Sequence, residues 1–318
     1  MNNRKWTRNR TASDQGRHAG LWRALLVTLV AFGLSVPAHA GSREQAQRIH
    51  ERIAGVPPSS GVLTSMQNAI DTGSATAQVC TDNGVVGADC AAYIAMDDMN
   101  FYNVTLKNFA APWTNRDQSV FVPLNDYIAT VIGMVRDDVP FNTLLSADLT
   151  YHDPGFSPAV SANNNDHYEQ LEASNADLSS VLQPRDQAGV MGIPDTATAG
   201  VMTSRAASEA FFVAGTNRAM FRFTLLNHMC NDMEQMHDPK LAPDRIRQDV
   251  SRSPGGDSRL FLNNCVGCHT GMDPLAQAFA YYNYNEDTGR LEYTGNGPGA
   301  GGTVQPKYFN TDLNFPQG

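Results

Sequence analysis

The sequence predicts a mainly α-helical protein, in which a larger helical region with long loops precedes a C-terminal helical region built around Cys265-Val266-Gly267-Cys268-His269. Three observations predict it. Apolar residues recur at helical spacing along several stretches, and no alternating strand pattern of any length is present. Cys265, Cys268 and His269 stand at i, i+3 and i+4, so a helix starting near Asp257 or Ser258 carries all three on one face.

In chain order, 42–54 reads as a polar helix stopped by Val56-Pro57-Pro58, and Ser60 is placed to cap a second helix through Ala69. The stretch 91–109 carries Tyr93, Ile94, Met96, Met99, Phe101, Tyr102, Val104 and Leu106 densely enough for one buried helix. Pro123 opens another through Val135, with Leu124, Tyr127, Ile128, Val131 and Ile132 at helical spacing, and 141–151 reads as a short helix. His152-Asp153-Pro154-Gly155 and Ser161-Ala162-Asn163-Asn164-Asn165-Asp166 are turn chemistry, so 152–166 is expected as an exposed loop without a calcium-loop spacing. The stretch 171–200 stays loop-rich, with Pro184, Gly189, Gly192 and Pro194, and a boundary is placed there, dividing 41–198 from 199–318. Helices are expected again over 206–213, 218–232 and 242–250. Met229, Met233 and Met236 fall at i, i+4 and i+7, a stripe that usually fills a core. Ser253-Pro254-Gly255-Gly256 is a turn before the thiol-bearing helix.

The N-terminus predicts a compartment. Arg4, Lys5, Arg8, Arg10, Arg17 and Arg23 face one acid, Asp14, before an apolar run from Ala24 to Val36 and the sequence Ala38-His39-Ala40. A basic segment, a short apolar run and an Ala-x-Ala site read as a secretory signal peptide over residues 1–40, cut after Ala40. The run is shorter than the roughly 20 residues a spanning helix needs, and no second run of that length follows, so no transmembrane segment is expected in the mature chain. Cleavage removes six of 23 basic and one of 32 acidic residues, leaving 17 against 31, a formal charge of −14. So acidic a chain is a poor partner for nucleic acid; its surface serves solubility or docks a basic redox partner. The expected place is periplasmic, cell-surface or extracellular. Export also meets an oxidising compartment, where Cys80 and Cys90, flanking an Asp/Gly-rich loop, are expected to pair. Cys230 is then the odd thiol, expected buried and inert.

Cys-x-x-Cys-His is the attachment pattern of a covalent c-type haem. Two thiols one turn apart can each add to one vinyl group of the porphyrin edge, and the adjoining imidazole then sits under the iron as its proximal ligand. With five Cys and eight His in 318 residues, about 0.002 copies are expected by chance. The competing readings are structural zinc, a redox dithiol or a surface disulfide. Zinc would need about two more ligands at a companion spacing, and a redox dithiol a βαβ context; neither is present in the sequence. One haem c is therefore expected, held by Cys265, Cys268 and His269, in a helical cytochrome c-like domain.

The run continues Thr270-Gly271-Met272-Asp273-Pro274-Leu275-Ala276-Gln277-Ala278-Phe279. It resembles a largely uncharacterised family of exported c-type cytochromes first noted in planctomycetes, whose members carry Cys-x-x-Cys-His-x-x-Met-Asp-Pro-Leu followed by a helix with an aromatic residue. Cys265, Cys268, His269, Met272, Asp273, Pro274, Leu275, Ala278 and Phe279 match in place. A weaker likeness reaches upstream through 125–151 and 199–230. The resemblance implies an exported haem protein, often within larger multidomain chains; this chain departs from it in being short, with a Gly/Pro-rich tail around Phe309.

A proximal imidazole needs an acceptor for its second nitrogen, and the turn at Met272-Asp273-Pro274 offers a carbonyl or the Asp273 carboxylate; Asp273-Pro274 is also placed to cap the next helix, and the two roles are compatible. Met272, three residues from His269, is badly placed to reach the opposite face of the same ring. Distal candidates therefore lie upstream: His228, Met229, Met233, Met236 and His237, with Met191 and Met202 behind them, or no protein ligand at all. Tyr281, Tyr282 and Tyr284 fall near the haem edge, where packing is the plain role. Three functions follow: a mono-haem electron-transfer protein whose iron cycles between ferrous and ferric, the reading favoured here; a peroxidase-like haem oxidoreductase with an open distal face and His228 or His237 as acid/base; or a scaffold or sensor with an accessory haem domain.

Overall fold

The structure is a computed structural model and describes residues 41–213, 215–247 and 249–295. The signal peptide expected over 1–40 and the tail around Phe309 lie outside the described residues. The described chain is mainly helical.

Four helices form a small N-terminal bundle: α1 (Ser42–Ile53), α2 (Ser60–Thr72), α3 (Gln78–Asn83) and α4 (Gly87–Met96). α1 is polar except where Ala46 and His50 face inward. The cap of α2 is Ser59, one residue before the expected Ser60; its hydroxyl accepts from the Val62 amide, and Gly73 ends the helix in the left-handed conformation. Cys80 on α3 and Cys90 on α4 form the expected disulfide, both fully buried. With Ala46, Leu63, Met66, Ala69 and Ile94 they make a core of their own.

The helix expected over 91–109 breaks. α4 stops at Met96, and the chain resumes as a π turn over Phe101–Leu106 and the short α5 (Lys107–Ala110). The cause is local: the Asp98 carboxylate accepts from the Asn100 amide at 2.8 Å, giving the backbone an alternative to the helical ladder.

The main core gathers on α6 (Asp126–Arg136). Asn125 caps it, its side-chain oxygen accepting from the Ile128 amide at 3.0 Å, and every residue from Asp126 to Met134 is buried. Pro123 therefore lies outside the helix. Residues 141–151, expected helical, form a 3-10 turn at Phe141–Thr143 and then β1 (Thr150–His152). Here the strand wins because Tyr151 lies flat on Gly133, where even a Cβ would sit 2.2 Å from its ring. The Tyr151 hydroxyl also donates to Asp137 at 2.8 Å.

The stretch expected as loop is more regular than its composition suggests. It holds α7 (Asp166–Ala173), α8 (Leu178–Val181), β2 (Gln183–Arg185) antiparallel to β1 with Tyr151 opposite Pro184, and α9 (Gln187–Met191). α10 (Arg205–Phe211) and α11 (Arg218–His228) follow. The buried Asp126 carboxylate accepts from the Arg205 and Ala206 amides at 2.6 and 3.1 Å, fastening α6 to the first turn of α10. The helix expected over 242–250 is only a 3-10 turn, Pro243–Arg245. A lead-in Ser258–Leu260, starting where expected and capped by Asp257, and a π turn Phe261–Cys265 open into α12 (Val266–Leu275). β3 (Tyr282–Asn285) and β4 (Arg290–Tyr293) close an antiparallel hairpin. The sequence pattern promised no strand; these have three or four residues each, too few to declare a period. One core takes residues from Leu106 to Leu291, on both sides of residue 198. No helix among the described residues is long and apolar enough to cross a membrane.

Two outcomes follow from this packing. Gly133→Ala forces the new methyl into the Tyr151 ring and should lower unfolding free energy by about 1–3 kcal/mol in urea titration. Replacing Cys80 and Cys90 by Ser opens a loop with a sequence separation of 10 and should remove about 2–3 kcal/mol from the N-terminal bundle, read by hydrogen exchange of α1–α4 amides.

Candidate functional site

The thiol-bearing helix forms as its spacing predicts, with one refinement. Cys265 ends the π turn and stands just ahead of α12, while Cys268 and His269 lie in its first turn. Neither thiol is paired, and Cys265, Cys268 and His269 are all half-buried. Burial raises the Cys268 pKa, with the Glu234 and Asp232 carboxylates adding to the shift, so at neutral pH it stays a protonated thiol; it lies 3.7 Å from the Met233 carbonyl oxygen. On the same face or beside it, Leu262 and Leu275 are 56% and 51% exposed, and Met272 is half-buried. Two half-buried thiols and a half-buried imidazole thus lie on a segment that also carries exposed leucines at both ends.

His269 is anchored from behind. Its Nδ1 lies 3.2 Å from Oδ1 of Asp273, one turn on. Asp273 has no exposed surface. Burial pushes its pKa up, but hydrogen bonds from His269, Arg218 and the Arg247 amide outweigh that and hold the carboxyl well below the usual range. An ionised carboxylate only accepts, so the proton between them sits on Nδ1, and in the neutral imidazole the lone pair is then on Nε2. Asp273 does not cap a following helix, because α12 continues through Pro274 to Leu275. Of the two roles open to Asp273, the structure takes the imidazole acceptor.

Asp273 is in turn gripped by groups far away in sequence. Arg218 on α11 donates through Nε at 2.7 Å and Nη2 at 3.1 Å, and the Arg247 amide donates at 3.0 Å. Arg218 also makes two 2.8 Å bonds to Asp249, so its guanidinium bridges an inner and an outer carboxylate. Sequence reasoning missed Arg218 and Arg247. Their separations of 55 and 26 residues from Asp273 follow no period, and only the fold brings them together.

The distal candidates scatter. α11 ends at His228, Cys230 turns left-handed at φ 51°, and Arg222 folds Asp232 back onto itself with bonds of 2.8 and 2.7 Å. The helical methionine stripe is therefore not made: Met229 is 54% exposed, while Met233 and Met236 pack partly against the core. Cys230, expected buried, is exposed, because the chain has left the helix there. His237 and Met236 lie behind α12, where a Cβ on Gly267 would sit 2.3 Å from the His237 imidazole and one on Gly271 4.0 Å from the Met236 methyl. The Asp238 amide donates to the Gly267 carbonyl at 3.0 Å and closes that side. His228 is half-buried, with Nε2 2.8 Å from the Tyr127 hydroxyl and its ring edge-on to Trp113; burial lowers its pKa to about 4. Tyr282 donates to the Ala197 carbonyl at 2.6 Å and stacks on Phe212, Tyr281 packs edge-on to Tyr293, and Tyr284 lies elsewhere, in a polar cleft.

Comparison with known proteins returns nothing. No family model, curated protein or solved structure matches the chain. The site is thus read on its own chemistry. Among the described residues, no group of three or more His, Cys, Asp or Glu side chains could hold a metal ion directly. The donor set does fit a c-type haem: two unpaired thiols at the attachment spacing, and an imidazole fixed in the tautomer that offers Nε2.

Two measurements test these placements. Asp273→Ala leaves the Arg218 guanidinium without its buried carboxylate and should destabilise the fold by about 3–5 kcal/mol, a loss Asp273→Glu does not repair because the longer arm has no room in a fully buried site. His228 is neutral in the folded protein down to about pH 4, whereas in the unfolded chain it takes a proton below pH 6.5. Its contribution is therefore complete above pH 6.5 and lost as pH falls toward 4. Between pH 7 and pH 5 it should remove about 2 kcal/mol of stability in urea titrations, and His228→Gln should flatten that slope.

Proposed function

We propose that this chain is an exported mono-haem c-type cytochrome of electron transfer, a helical haem domain set on a larger helical region. The observation that carries the reading is the half-exposed Cys265-x-x-Cys268-His269, with both thiols unpaired and the imidazole oriented by Asp273. Cys265 and Cys268 would hold the group by thioether bonds, and His269 Nε2 would be the proximal iron ligand. Bound there, the haem supplies one-electron chemistry between ferrous and ferric states.

The chain's own residues do the rest. Asp273 accepts the Nδ1 proton, which fixes the imidazole plane and increases electron donation at Nε2. Arg218 draws the same carboxylate the other way, moderating that donation. Leu262 and Leu275 offer apolar surface for a porphyrin edge and a docking partner. The buried Cys80–Cys90 disulfide favours an oxidising compartment, in keeping with the expected periplasmic or cell-surface place. The likeness to the planctomycete-type cytochromes over Cys265–Phe279 supports the same reading. The redox partner would be a protein with a basic face, matching a mature chain of −14.

The test is an absorption spectrum of protein made with cytochrome c maturation machinery, ferric and dithionite-reduced, with and without carbon monoxide. A thioether-haem spectrum is expected, lost in Cys265→Ala/Cys268→Ala. Absence of that spectrum in the unsubstituted protein rejects the haem assignment. A low-spin spectrum unmoved by carbon monoxide supports electron transfer; high-spin iron that binds carbon monoxide rapidly replaces it with the oxidoreductase or sensor reading.

A further inference from the structure

A cleft of about 680 Å³ is lined by no residue of the thiol helix. It is walled by the loop before α6, the Asn163–Asn165 turn before α7, the exposed edge of α10 and Tyr284 on β3. It joins residues from both regions of the chain, and no feature of the haem reading uses it. We propose that this cleft binds a neutral oligosaccharide.

The volume lies within the range of small-molecule sites, and the lining is polar in a particular way. Donors and acceptors interleave. Arg116, Arg205 and Asn164 bring N–H groups to the same walls on which Asp117, Glu169 and Glu209 bring carboxylates. Such a wall suits a ligand whose every group both donates and accepts, which is what a sugar hydroxyl does. Three carboxylates against two guanidiniums leave no strong field of either sign. A phosphate or polycarboxylate would meet the acids, and a polyamine would meet the arginines. The short apolar patches, Val122 with Pro123 and Ala206 with Ala210, give room for the C–H face of a sugar ring and no deep socket for a peptide side chain.

Part of the lining is already set. Arg205 is nearly buried, and its Nη1 donates to Glu209 at 3.0 Å while the α10 turn beneath it is fastened to Asp126. The Asn165 amide is fixed through Nδ2, which donates to the Leu124 carbonyl at 2.8 Å and to Glu169 at 3.2 Å. Its Oδ1 is buried and has no donor among the described residues. A buried acceptor held in one orientation without a partner is rare in folded proteins, and this one belongs to a residue that lines the cleft. Preorganised groups of this kind raise affinity, since little side-chain freedom is lost on binding.

Isothermal titration of the intact protein with maltotriose, cellotriose, xylotriose and tri-N-acetylchitotriose tests the proposal, with triglycine, spermidine and citrate as competitors in class. At least one trisaccharide should bind with a Kd of about 1 mM or tighter, and none of the three competitors should match it. Asn164→Ala and Glu209→Gln, both at exposed positions, should each weaken that binding about ten-fold, while Arg48→Gln on α1 leaves it unchanged. The proposal is overturned by silence with all four trisaccharides, by binding that both cleft variants leave intact, or by a competitor that binds more tightly than every sugar. None of these outcomes bears on the haem spectrum, so the two readings stand or fall separately.

Discussion

The buried carboxylate of Asp273 is the constraint on which the C-terminal half depends. An isolated charge with no solvent contact costs several kcal/mol, so the carboxylate can stay ionised only where donors converge on it. Four do: Nε and Nη2 of Arg218, the Arg247 amide and the His269 imidazole. They come from three parts of the chain, and meeting at one point fixes α11, the backbone at Arg247 and α12 relative to one another. The same demand orients His269. Its ring direction is thus a by-product of burying a charge, and it is paid for by the fold rather than by any ligand.

That geometry also divides α12 into two sides. Behind it, Gly267 and Gly271 let the His237 imidazole, the Met236 methyl and the 238 backbone approach closely. Any side chain at Gly267 would meet His237, so the glycine is required for contact rather than for flexibility. In front lie the two thiols, His269 Nε2 and leucines left in solvent. A helix covered on its glycine side leaves its two thiols half-exposed, so their accessibility is set by packing as well as by spacing.

How much of this was legible in sequence depends on the range of the interaction that decides it. Helices whose apolar residues keep a 3.6 period, such as α6, α10 and α11, were legible because burial on α6 and its neighbours rewards that period directly. The helix expected over 91–109 failed for a local polar reason at Asp98, and the methionine stripe over 229–236 failed at left-handed Cys230 and the Arg222–Asp232 pair. Both were short-range polar contacts overriding an apolar pattern. At the candidate site, the placement of Cys265, Cys268 and His269 on one helical segment was readable because it depends on spacing alone. Asp273 was half-readable, as one of two acceptors within a turn. Arg218 and the cleft were not readable, because neither exists until segments dozens of residues apart are brought together.

The π turn before α12 shows how such packing and chemistry meet. Phe261 and Val266, five residues apart, are each 4% exposed and share a small core with Ile246. In an uninterrupted α-helix the residue sharing a face with Phe261 would be Cys265, at i+4, and the thiol would be drawn inward with the phenyl ring. The wider π turn over Phe261–Cys265 brings i and i+5 into line instead. Val266 takes the buried place, and Cys265 is left half-exposed at the edge of that core, one turn from Cys268. A single extra residue in the turn thus satisfies the apolar demand of Phe261 and keeps both thiols accessible, which an ideal helix through the same sequence could not do at once.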